Sequence, residues 1–206
     1  MDSAARIVAC MQQAARDLQQ PELTDSAVRD IIGLGLPEAI RILIPGIAED
    51  MIDPMRERYG HHFLGDDPTP VKLFPGVREG LEKLQRQGFV LAVATGKSRR
   101  GIDKVFSSTG LGDVFVASRG ADETASKPDP LMINEILAET GMRAEHALMI
   151  GDTEYDMEMA ANAGIDGLAV SYGVHTLARM QPFSPVQEVH SFTEMVNWLE
   201  SRYVAG

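Results

Sequence analysis

The 206-residue chain contains a single cysteine, Cys10, which excludes an internal disulfide and a cluster of thiolate metal ligands. Cys10 lies among Ile7, Val8 and Met11 in a helical pattern and reads as an inert, partly buried thiol. No apolar run approaches the ~18 residues of a membrane span, and no signal-peptide pattern opens the chain. A cytoplasmic protein is therefore expected. Basic residues are also in short supply: 19 Lys and Arg against 30 Asp and Glu leave a net charge of −11. That balance argues against nucleic acid or an anionic membrane as the main partner. It still permits a phosphorylated small molecule, because a pocket can be locally positive. Internal repeats and low-complexity tracts are absent. The rest is ordinary for a folded protein, with 44% hydrophobic and 24% charged residues. The length allows one substantial core, or a core with a smaller domain.

The first seventy residues read as helices. SAARIVACMQQAARDL carries Ile7, Met11, Ala14, Ala15 and Leu18 near helical spacing, with Ser3 as a candidate N-cap. TDSAVRDII starts at a second cap candidate, Thr24, and stops at Gly33. LPEAIRILI and AEDMIDPMRERYGHHF follow, the latter with a kink or break expected at Pro54. LGDDPTPVKLFPG then reads as a linker or domain boundary. Beyond it the texture changes to short apolar runs alternating with amphipathic stretches: FVLAVATG, VFVASRG, HALMIGD and IDGLAVSYG as strands, with helices between them and FTEMVNWLESRY as the last helix. That alternation predicts an α/β fold, a doubly wound parallel sheet, over residues 71–206, with a helical cap over residues 1–70.

Ligands of open α/β sheets sit beyond the carboxyl ends of the strands, and three such ends carry reactive groups. VLAVATGKS delivers Thr95, Gly96, Lys97 and Ser98 just ahead of a helix. A hydroxyl, an unobstructed backbone N–H and a helix N-terminus can hold a phosphate oxygen; Thr95 or Ser98 can equally be a helix cap. ASKPDP holds Lys127 before a proline that favours an extended backbone. A lysine fixed there can neutralise charge on a phosphoryl group, or be an ordinary surface lysine. GDTEYD ends a strand with Asp152 and, about one helical turn on, Asp156. Asp152 suits a hard cation such as Mg²⁺, and Asp156 could orient the lysine or a metal-bound water. Helix capping is the plainer role for both acids.

Hydroxyl, lysine and acidic pair, in that order and each at a strand end, resemble the haloacid dehalogenase-like (HAD) hydrolase superfamily. Thr95 matches its second motif, Lys127 its third, and Asp152 with Asp156 its acidic fourth. The likeness covers essentially the whole chain and is strongest to the phosphoglycolate phosphatase-like branch, through TGKS, LFPGVREGLEKLQRQG and the loop GLGLPEAI (33–40). The resemblance implies a HAD-like Rossmannoid core with a helical cap and a Mg²⁺-dependent phosphatase acting on a small phosphorylated metabolite. It assigns Thr95, Lys127 and Asp156 to catalysis and Asp152 to the metal. It assigns Thr95, Gly96 and Lys97, with Gly33, Leu34 and Gly35 of the cap, to substrate binding. A monomer or homodimer is expected.

One departure matters. The superfamily's nucleophile is the first aspartate of an Asp-x-Asp-Gly-Thr motif at the end of the first strand, and no such motif occurs in these residues. Asp2 matches a later position and cannot inherit the role. The resemblance makes the missing strand central, between the strands ending at Thr95 and Gly151. Its absence would leave two inner edges unpaired, at about 1–3 kcal/mol per buried unpaired group against ~5–15 kcal/mol for a whole domain. Met1 is accordingly expected to be internal to a longer chain that supplies the strand. The alternatives are a catalytically silent binding or regulatory relative and a phosphosugar mutase using the same core residues.

Overall fold

The computed structural model describes residues 1–65 and 72–203. The helical part comprises α1 (Ala4–Asp17), α2 (Asp25–Asp30), α3 (Leu36–Leu43) and α4 (Ile52–Leu64). These helices enclose a core of their own, in which Cys10, Met11, Val28, Ile40 and Met55 are wholly buried. Thr24 caps α2 by accepting the Ala27 N–H at 3.2 Å, whereas Ser3 makes no capping bond. Near Pro54 a 3₁₀ turn, Glu49–Met51, gives way to α4. Pro54 itself falls in the first turn of α4, where its missing N–H would have had no acceptor within that helix. At the other end of α4, His62 Nε2 lies 2.8 Å from Asp17 Oδ2 and ties the helix to α1. Of the stretch read as a boundary, residues 66–71 lie outside the described residues.

The second part alternates helix and strand: α5 (Val77–Arg86), β1 (Ala92–Thr95), α6 (Arg99–Thr109), β2 (Ala117–Gly120), α7 (Leu131–Thr140), β3 (Leu148–Gly151), α8 (Glu154–Ala163), β4 (Asp166–Val170), α9 (Leu177–Met180), β5 (Gln187–Val189) and α10 (Phe192–Tyr203). Every strand pair is parallel. Alternate residues of β4 enter different cores, as a doubly covered sheet requires. Leu168 and Val170 pack with Leu84 of α5 and Met195 of α10, while Ala169 packs with Met157 of α8 and Met180 of α9. Two readings need adjustment. The apolar run 114–120 begins as a 3₁₀ turn, and its strand starts only at Ala117. A fifth strand, β5, forms from Gln-Glu-Val, whose polar residues carry almost no strand signal.

The strands form two sheets, β1–β2 and β3–β4–β5, and β1 and β3 are not hydrogen-bonded to one another. Shared cores hold the halves together: Leu91 and Leu148 contribute to the cluster around α5 and α10, and Ala94 and Met149 to the cluster of α7 and α8. Between them is a gap lined by Val93, Ala94, Met149 and Ile150, with Ile150 37% exposed. Among the described residues the inner edges of β1 and β3 have no strand partner. The gap falls where the resemblance described above implies a central strand.

Candidate active site

The ends of β1 and β3 and the loop after β2 open on one cavity of about 1340 Å³. Small-molecule sites commonly occupy ~300–1,000 Å³. The excess has a visible source, because the cavity continues from the strand ends into the gap between β1 and β3. Thr95, Gly96, Lys97, Lys127, Asp152 and Asp156 line it from the α/β part, and Gly33 and Leu34 from the helical part. Gly35 does not line the cavity; its N–H donates to Ser126 Oγ at 2.7 Å.

Lys127 and Asp156 form a buried ion pair, with Nζ 2.5 Å from Oδ1 and each side chain only 5% exposed. The other carboxylate oxygen of Asp156 closes a capping box at the start of α8. It accepts the N–H of Thr153 at 3.0 Å and its hydroxyl at 2.7 Å, while Thr153 Oγ1 accepts the Asp156 N–H at 3.3 Å. Capping and pairing with the lysine are therefore simultaneous, one through each oxygen. Gly151 is what lets Asp156 lie against the strand end, since a Cβ there would fall 2.2 Å from the Asp156 Cβ.

Asp152 is held by the loop after β4. Its Oδ2 accepts the Val174 N–H at 3.0 Å and its carbonyl accepts the His175 N–H at 3.0 Å. Oδ1 accepts no hydrogen bond among the described residues. Burial, reinforced by the neighbouring Asp156 charge, pushes the Asp152 pKa up, while Lys127 opposes the shift. A cation would relieve that cost. Met1 also lines the cavity.

At the end of β1, Thr95 Oγ1 accepts the Lys97 N–H at 3.3 Å, and Ser98 caps α6 through the Gly101 N–H. The alternative of a Thr95 cap is thereby removed, leaving its hydroxyl at the cavity wall. The Lys97 ammonium sits over the Phe63 ring at 4.8 Å. Burial, with the Arg6 charge second, pushes its pKa down to about 8. The helical part closes directly on this loop: a Cβ on Gly96 would lie 2.5 Å from the Leu34 carbonyl oxygen and 2.7 Å from that of Gly33. Glycine at 96 permits this contact.

A hard cation fits the residues present as one ligand among several. Mg²⁺ favours octahedral oxygen coordination, keeps several waters, and commonly takes one or two carboxylates plus substrate phosphate. Asp152 offers one open carboxylate oxygen at the cavity, while both Asp156 oxygens are engaged. Among the described residues there is no cluster of three or more His, Cys, Asp or Glu able to hold a metal.

Sequence reasoning overlooked Thr153, Ser126 and the 173–175 loop. The Thr153-x-x-Asp156 spacing is a capping-box signature that could have identified Thr153. His175 carries no comparable signal. It is buried, its Nδ1 accepts the Glu154 N–H at 3.2 Å, and burial lowers its pKa.

A parallel α/β core with helices on both faces, and a lysine–carboxylate site at its strand ends beneath a helical layer, defines a class of hydrolase scaffold. The family model described as haloacid dehalogenase-like hydrolase matches residues 1–170, and the chain belongs to that family. It is 34% identical over 200 residues to the probable phosphatase IndB of Dickeya dadantii, covering 95% of this chain and 87% of that protein. It is 28% identical to the phosphoglycolate phosphatase of Vibrio cholerae, covering 95% and 92%. A solved Bacteroides fragilis structure described as a haloacid dehalogenase-like hydrolase superposes with a TM-score of 0.87 at 26% identity, covering 94% of this chain and 93% of that one. No helix among the described residues is long and apolar enough to cross a membrane.

Proposed function

We propose that the protein is a Mg²⁺-dependent phosphatase of small phosphorylated metabolites, phosphoglycolate-like in size and charge, working through an aspartyl-phosphate. The observation that carries the proposal is the buried Lys127–Asp156 pair, which lines one cavity together with Asp152. Relatives named phosphatases support it. The Thr95 hydroxyl and the Gly96 N–H bind phosphoryl oxygens, with Lys97 adding positive charge. Lys127 neutralises charge on the phosphoryl group and on the aspartyl-phosphate, and Asp156 keeps the ammonium aimed by pairing with it. Asp152 holds Mg²⁺, which when bound supplies further charge neutralisation. Gly33, Leu34 and Gly35 shape the lid over the substrate, and the 1–70 segment acts as the cap of a 71–206 catalytic domain in the cytoplasm.

The attacking carboxylate belongs, in this reading, to a strand occupying the gap between β1 and β3, and the 206 residues alone turn over little or no substrate. A catalytically silent binding protein is the second reading, and the absence of an Asp-x-Asp-Gly-Thr motif is what favours it. The test is Asp152→Asn in a chain supplied with that strand. Mg²⁺-dependent hydrolysis of a phosphate ester should disappear; undiminished Mg²⁺-dependent turnover would sink the assignment.

A further inference from the structure

The stretch that carries Asp152 and Asp156 also faces the helical layer. Arg179 of α9 grips Glu154 with two bonds, Nη2 to Oε1 at 2.6 Å and Nε to Oε2 at 3.1 Å. Its third nitrogen, Nη1, reaches Asp30 Oδ1 at 2.6 Å, across 149 positions of sequence. Asp30 is the last residue of α2, and the neighbouring Tyr155 hydroxyl donates to its carbonyl at 2.9 Å. His175 packs edge-on to Tyr155, and its buried Nε2 has no hydrogen-bond partner among the described residues. Three residues beyond Asp30 begins the loop whose Gly33 and Leu34 touch Gly96 and whose Gly35 bonds Ser126.

We propose that Arg179 is a positioning residue, which fixes the closed placement of the 33–35 loop by bridging Asp30 to Glu154. Its guanidinium suits the task, because a planar fork can hold one carboxylate bidentately and still present a nitrogen to a second. The chain from Asp30 to Gly35 is too short to let the loop ignore a shift at Asp30. Loss of the bridge therefore lets the loop lift from Gly96 and Ser126, while Asp152 and Asp156 keep their own hydrogen bonds. The consequence for substrate selection rests on the phosphatase reading above; the consequence for the loop does not.

The test is amide hydrogen exchange at Gly35 in Asp30→Asn, Arg179→Ala, the double variant and Arg179→Lys. The Asp30 side chain is 61% exposed, so Asp30→Asn keeps the fold even if Arg179→Ala does not. Exchange should quicken by about two- to fivefold in each single variant, the range expected for a partly exposed ion-pair network. The double variant should be no faster than the faster single one, and Arg179→Lys should recover part of the protection. Unchanged exchange in Asp30→Asn, or effects that multiply in the double variant, would overturn the proposal. In the active enzyme the same substitutions should raise KM two- to fivefold with kcat within twofold. A fall in kcat at constant KM would also overturn it. If no phosphatase activity exists, the exchange result still decides the positioning role.

Discussion

The Lys127 ammonium meets the Asp156 carboxylate at 2.5 Å, with both side chains almost wholly shielded from water. Removing one partner strands a buried charge, which typically costs about 3–5 kcal/mol. Lys127→Met should therefore destabilise the chain by about that amount in urea unfolding. Adding Asp156→Asn should restore much of the loss, because an amide oxygen can still accept from Thr153. A single-variant cost below about 1 kcal/mol would show that the pair is effectively solvated.

Lys97 gives a pH-dependent signature. Its pKa stands at about 8 against the usual 10.5, mainly from burial. Between those values the unfolded chain binds more protons than the folded one, so the Lys97 contribution makes stability rise with pH across that window. Below about pH 8 the folded protein bears the full cost of the charge. Lys97→Met should raise the melting temperature at pH 7, by a stabilisation on the order of 1–3 kcal/mol. The advantage should shrink toward pH 10.5. A bound phosphate offsets the same cost, so phosphate affinity should weaken as pH rises through 8 in the parent protein and lose that dependence in Lys97→Met. Melting curves against pH, with and without phosphate, check both statements.

Gly96 and Gly60 should respond oppositely to a methyl group. Gly96→Ala drives a Cβ against the Leu34 and Gly33 carbonyls, and should cost about 1–3 kcal/mol by overpacking while loosening the Gly35–Ser126 bond. Gly60, within α4, has nothing within 4 Å of such a Cβ. Gly60→Ala should stabilise by about 1 kcal/mol through helix propensity. Denaturation midpoints of the two variants test the tight cap-to-core contact directly.

These residues also mark how far the sequence could be read. Thr95 and Asp152 could be brought to one cavity from the sequence because each closes an apolar run at the end where such folds bind ligands. Lys127, seven residues past the end of β2, stood out only through Lys-Pro and the order of the motifs. The parallel α/β texture was legible because runs such as Leu148–Ile150 interrupt helical periodicity. β5 escaped because an edge strand of Gln187, Glu188 and Val189 has one apolar residue to announce it. Pro54 could be placed near a change of helix but not to the residue, because proline suits the first turn of a helix and disrupts the interior. The Asp30–Arg179–Glu154 bridge was invisible because its members lie far apart in the chain and obey no period. Only the folded arrangement brings them together.

The central claim is that the gap between β1 and β3 takes the strand that carries the nucleophile. The direct measurement is Mg²⁺-dependent hydrolysis of a phosphate ester by two chains. One is the 206-residue protein, and the other carries, ahead of Met1, an apolar strand ending in Asp-x-Asp-Gly-Thr. Turnover should be near background in the first and appear in the second, and changing the first aspartate of the added motif to Asn should abolish it. Equal turnover in both chains, or none in the extended one although it folds, would contradict the account.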